Sequence, residues 1–141
     1  VNGPSGGNFF PVGHTVDEHR YPGPGIPEAE QHAPNIFKDR ILLLGEFGGL
    51  GLPIKDHLWQ KDKNWGYRNL TGKDELLSSY KKLIEDFPPL IEKGLAAAIY
   101  TQTTDVEGEV NGLMTYDRAI IKMDAEKMNE INQLLYKTPV D

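Results

Sequence analysis

Apolar residues along this chain follow two periods, and the segments obeying each alternate. The run Leu42-Leu43-Leu44, closed by Gly45 and Glu46 and followed by Phe47-Gly48-Gly49, predicts a strand over residues 41–46, buried on both faces of a parallel sheet. Residues 95–100, small and apolar throughout and preceded by Gly94 as a helix stop, read as another buried strand. A shorter candidate covers residues 14–20, where Tyr21-Pro22-Gly23-Pro24-Gly25 stops pairing and forces a loop. In between, Leu76, Leu77, Tyr80, Leu83, Ile84, Phe87, Leu90 and Ile91 recur at helical spacing. They predict an amphipathic helix over residues 74–92 that starts near Thr71 or Gly72 and bends or breaks at Pro88-Pro89. A last helix follows Asp124 as its cap, with Met123 and Met128 as a hydrophobic staple and Ile131, Leu134 and Leu135 on its buried face. Residues 47–72 and 101–118 obey neither period, and connections of that length tend to be functional.

Strands separated by helices in this way imply parallel pairing with right-handed crossovers, the α/β class. Three strands cannot close a (β/α)8 barrel, which needs eight and typically about 250 residues. The 141 residues therefore form either a small open α/β domain or the last part of a barrel.

Composition narrows the partners. With 38% hydrophobic and 26% charged residues the chain has an ordinary folded composition rather than a disordered one. No apolar run approaches the roughly 20 residues that cross a bilayer, and the first residues lack the basic and apolar regions of a signal peptide. A soluble chain without a membrane partner is expected; it begins at Val1 rather than methionine, so the compartment stays open. The absence of cysteine excludes disulfides, a thiolate nucleophile and cysteine metal sites. A net charge of -6 argues against nucleic acid, whose phosphates require clustered Lys and Arg.

Glu46 is the leading candidate for chemistry. In parallel α/β architectures ligands bind beyond the carboxyl ends of the strands, where a carboxylate is desolvated on one side and open to substrate on the other. His19 and Tyr21, two residues apart, point to one face of the first strand. Asp105, Glu107 and Glu109 alternate, which fits either a cation site or a solvated loop. Trp59, Trp65 and Tyr67 lie in the long loop after Glu46 and suit either a stacking platform for a ligand or loop packing. His14, His32 and His57 lack the paired spacing of a metal site.

Three motifs occur in order: Asp17-Glu18-His19-Arg20-Tyr21-Pro22-Gly23-Pro24, then Gly45-Glu46-Phe47-Gly48-Gly49, then Tyr100-Thr101-Gln102-Thr103-Thr104-Asp105-Val106-Glu107-Gly108-Glu109-Val110-Asn111-Gly112 followed by Thr115-Tyr116-Asp117-Arg118. Together they resemble the C-terminal part of the catalytic barrel of glycoside hydrolase family 2, which contains β-galactosidases, β-glucuronidases and β-mannosidases. The resemblance implies that residues 1–141 are a fragment of a TIM barrel, with residues 14–20, 41–46 and 95–100 as strands six, seven and eight. It implies that Glu46 is the nucleophile of a retaining β-glycosidase, hydrogen-bonded by Tyr21, with a second carboxyl about 5–5.5 Å away as acid/base. In the family that group is a glutamate following an asparagine on strand four. The only Asn-Glu pair here is Asn129-Glu130, on the final helix, so the acid/base is missing and the chain alone should be inactive.

The resemblance also suggests substrate contacts. His19 is open to a sugar-hydroxyl contact or a structural role. Tyr100 falls near the strand-eight aromatic on which the sugar stacks, although the family carries tryptophan there. Gln102 and Asp105 are candidates for binding sugar hydroxyls, and Trp59 and Trp65 for a platform. No cofactor or metal is implied. The expected partners are a carbohydrate substrate and the remainder of the barrel, with self-association across the strand edges left open by its absence. Two alternatives stand beside this reading: a non-catalytic carbohydrate-binding fragment, and a small independent α/β enzyme pairing Glu46 with Glu18 or Asp105.

Overall fold

A computed structural model describes residues 1–3, 5–6, 8–27 and 39–137. His32 lies outside the described residues. Three strands, β1 (Thr15–Arg20), β2 (Ile41–Gly48) and β5 (Leu95–Thr101), form a parallel sheet in the order β1-β2-β5. Two short strands, β3 (Leu50–Gly51) and β4 (Arg68–Asn69), pair separately within the long loop after β2. Sequence reading missed them because two-residue strands carry no period. The helices are α1 (Lys73–Glu85), α2 (Pro88–Glu92) and α3 (Ala125–Asn132), with a final 3-10 turn at Leu135–Lys137. The fold is α/β, and the described strands form an open sheet rather than a closed barrel.

The helices follow from their sequences. Gly72 is the cap of α1, and Glu75 reaches back to accept from the backbone N–H (2.9 Å) and hydroxyl (2.8 Å) of Thr71. These bonds tie the residue before the cap to the first turn, while Gly72 itself provides no side-chain cap. Leu76, Tyr80, Leu83 and Ile84 are buried at the expected spacing. The helix ends before Pro88, which opens α2 at a first-turn position where a missing N–H costs nothing. Asp124 caps α3 by accepting from the Lys127 N–H at 3.0 Å, and Met123 and Met128 meet in the same apolar cluster.

That cluster lies on one face of the sheet, where Leu44, Phe47 and Leu95 meet Leu76, Tyr80, Leu83, Ile84, Phe87 and Ile131. Each fully buried large side chain contributes roughly 1.5–3 kcal/mol. The opposite face has no helical cover among the described residues: Ile41 is 50% and Ile99 61% exposed. This corrects the expectation of a fully buried strand over residues 95–100. In β5 only Leu95 is buried, because the strand lies at a sheet edge and its second face is uncovered.

Candidate functional site

Strict alternation along β2 would place Leu44 and Phe47, three residues apart, on opposite faces. Both lie in the helix-side cluster. The register explains this: Glu18 pairs with Leu44 and the next residue, His19, pairs with Glu46, so Gly45 is an extra residue in β2. The resulting bulge returns Phe47 to the core and turns Glu46 to the open face. Asp17 fixes the bulge by accepting from the Gly45 N–H at 2.8 Å. Only glycine fits here, since a Cβ on residue 45 would overlap the Asp17 carboxylate.

On the open face Glu46 meets two residues that alternate along and just beyond β1. The Tyr21 hydroxyl donates to Glu46 Oε2, and His19 Nδ1 lies 3.3 Å from the same oxygen. Oε1 carries no hydrogen bond among the described residues. The Glu46 side chain remains 39% exposed, so it is both anchored and reachable. Burial, reinforced by the bond to Glu46, pushes the Tyr21 hydroxyl above its ordinary range, while a hydrogen bond with Thr101 acts in the opposite direction. Tyr21 therefore stays protonated and remains a donor.

An aromatic wall extends from this pair. Tyr67 stacks on Tyr21, with ring centroids 3.6 Å apart and planes within 1°, and the Trp65 ring meets Tyr67 edge-on at 5.6 Å. Gly49 makes the stack possible: its φ is 62°, and a Cβ there would overlap both tyrosines. The backbone of Trp65 is held by Gly108 and Val110 through hydrogen bonds of 2.8 Å each. Trp59 does not join this wall. It packs edge-on against Tyr116 at 5.6 Å, beside a hydrogen bond in which His57 Nδ1 lies 2.8 Å from Asp117 Oδ2.

Three other expected site residues have structural positions. Tyr100 faces the helices, against Phe47 at 5.6 Å and Tyr80 at 5.4 Å, because it shares the sheet face of Phe47 rather than that of Glu46. Burial raises its hydroxyl pKa above the ordinary range, and that hydroxyl approaches the Leu50 backbone without completing a hydrogen bond. The Gln102 side-chain amide donates to Asn111 Oδ1 at 2.9 Å. Asp105 is buried, and its Oδ1 accepts from the Gly112 N–H at 2.8 Å and from Lys122 Nζ at 2.6 Å. Burial pushes the Asp105 carboxyl up and the Lys122 amine down, each opposed by the other's charge.

In these placements the polar atoms of Tyr100, Gln102 and Asp105 are buried or engaged in holding residues 101–122 together. The acidic alternation is also broken. Val106 and Glu109 close a tight turn through paired backbone hydrogen bonds of 3.0 and 2.9 Å. Among the described residues no group of three or more His, Asp or Glu side chains is arranged to hold a metal ion.

Sequence reading missed Asp17, Thr101 and Ser5, whose Oγ lies 3.2 Å from His19 Nε2. For Asp17 a signal existed, because Asp17, His19 and Tyr21 alternate and so share a face. Ser5 and Thr101 had none. In comparisons with known proteins no family model matches the chain, and no curated protein matches it.

Proposed function

We propose that the chain comprises strands six to eight of the catalytic (β/α)8 barrel of a retaining β-glycosidase, with Glu46 as nucleophile. The acid/base is then supplied by strands outside this chain. The observation that carries the reading is the hydrogen bond from Tyr21 to Glu46 across the carboxyl ends of adjacent parallel strands. A carboxylate held by a donor on one oxygen, with the other lacking a hydrogen bond among the described residues, is suited to attack an anomeric carbon. The parallel order β1-β2-β5, the uncovered apolar face and the aromatic wall of Trp65, Tyr67 and Tyr21 beside the carboxylate support it further.

The chemistry is a double displacement. Glu46 Oε1 attacks the anomeric carbon as the acid/base protonates the leaving oxygen, and water activated by the same acid/base then releases the sugar. In the protein carrying the upstream strands, a mechanism-based 2-fluoro glycoside should label Glu46. Labelling elsewhere, with Glu46→Gln still active, would refute the assignment.

A second reading, carbohydrate binding without turnover, draws on the same aromatic wall. It is favoured if the assembled protein binds sugars but never accumulates the covalent adduct. A small independent enzyme fits less well, since Asp105 is committed to Lys122 and Glu18 accepts from Arg20 at 2.8 Å.

A further inference from the structure

Before β1 the chain runs along that strand, where Asn2 stands against Thr15 and Asp17. The side-chain amide of Asn2 is tied at both of its polar atoms. Nδ2 donates to Asp17 Oδ2 at 2.6 Å, and Oδ1 accepts from the Thr15 hydroxyl at 2.6 Å. Donor chemistry fixes this orientation. Turning the amide over would set its carbonyl oxygen against the Asp17 carboxylate, two acceptors with no proton between them. Thr15 and Asp17 are two residues apart and so present one face of β1 to Asn2.

Asp17 is buried, and both of its carboxylate oxygens are engaged, Oδ2 by Asn2 and Oδ1 by the Gly45 N–H at 2.8 Å. An amide Nδ2 and a backbone N–H only donate, so the carboxylate accepts on both sides. Held through one oxygen alone, a carboxylate still turns readily about its terminal torsion, which is broad and soft. The second bond removes that freedom and keeps Oδ1 on the Gly45 N–H. Gly45 is the extra residue of the β2 bulge, and the bulge turns Glu46 to the open face.

We infer that Asn2 is a positioning residue for Glu46: it locks the Asp17 carboxylate toward the Gly45 N–H, which holds the bulge and with it the direction of the Glu46 side chain. The catalytic meaning of this arrangement rests on Glu46 being the nucleophile proposed above; the chain of contacts from Asn2 to Gly45 does not.

Amide hydrogen exchange on the 141-residue chain reads the tie directly. Asn2→Ala should speed exchange at the Gly45 amide by about tenfold, while the amides of Leu83 and Ile84 in α1 keep their wild-type rates. Thr15→Val keeps the shape of the strand residue and frees the Asn2 amide to rotate. It should give a smaller rise at the same amide. If Asn2→Ala also loosens α1, Thr15→Val is the variant that decides. In the protein carrying the upstream strands, Asn2→Ala should lower the maximal rate at which a 2-fluoro glycoside labels Glu46 by about tenfold. The half-saturating concentration should stay the same, because the change is in the aim of the carboxylate rather than in sugar binding.

Wild-type exchange at Gly45 in the folded variants, or faster exchange with an unchanged labelling rate, would overturn the inference. A wild-type protein never labelled at Glu46 would instead remove the glycosidase reading, and Gly45 exchange alone would then decide whether Asn2 holds the bulge.

Discussion

The orientation of Glu46 is held by its neighbours, so the sharpest residue-scale expectations concern them. Tyr21→Phe keeps the ring stacked on Tyr67 and removes only the hydroxyl that donates to Glu46 Oε2. On the proposed nucleophile role, in the protein carrying the upstream strands, the rate at which a fluoro glycoside labels Glu46 should fall by about 10²-fold, the loss that misplacing a reacting group can cause. Unchanged labelling would mean that the hydrogen bond serves folding alone. Gly45→Ala tests the bulge. The added methyl has to displace Asp17 and so breaks the bond holding the Gly45 N–H. A loss of roughly 1–3 kcal/mol in urea unfolding is expected from overpacking and the orphaned donor. A variant as stable as wild type would show that β2 bends without the bulge.

At the scale of elements, the segment from Thr101 to Lys122 is the part least evident in the sequence. It has no period of its own and is held together by side chains. Lys122 is fully buried and bonds both Asp105 and the Val110 carbonyl, at 2.6 and 2.9 Å. Asp117 fastens the outer end. The Thr115 hydroxyl, then His57 and the Ala119 N–H, hold its carboxyl down at about 2. A carboxyl that binds its proton more weakly in the folded state stabilises the fold above its unfolded pKa, near 4, and loses that contribution as pH falls through the folded value. The stability difference between wild type and Asp117→Asn should therefore be constant at neutral pH and shrink between about pH 4 and 2. Salt should weaken it, because the Asp117 side chain is partly exposed. A difference independent of pH over that window would show that Asp117 is not holding His57 and Thr115 as a charge.

For the whole molecule the decisive feature is the open sheet. Both β1 and β5 are edges among the described strands, and Ile41 and Ile99 are exposed on the face opposite the helices. Unpaired backbone groups beside exposed apolar side chains favour association with another chain. Light scattering on dilute protein should give the mass of a dimer or larger species, and Ile99→Lys should shift it toward the monomer. A stable wild-type monomer that unfolds cooperatively would mean that the segment is self-sufficient and that its reading as part of a barrel is wrong.

The sequence by itself determined the three strands of the main sheet and the helices, the stop at Pro88, the cap at Asp124 and the place of Glu46 at a strand end. These are local properties, set by backbone geometry and the repeat of apolar residues, and a window of ten to twenty residues contains them. Only the tertiary structure decided which way the functional side chains face. The bulge at Gly45 exists in the register between β2 and its neighbours, and without it the alternation of β2 would send Glu46 into the helix-side core. The same lack of local information sent Trp65 to the Tyr21 stack and Trp59 to Tyr116, turned Tyr100 inward, and joined Asp105 to Lys122 across 17 residues. Period reports which residues share a face of one element, whereas contacts between elements depend on register and loop closure, which involve residues far apart in the chain.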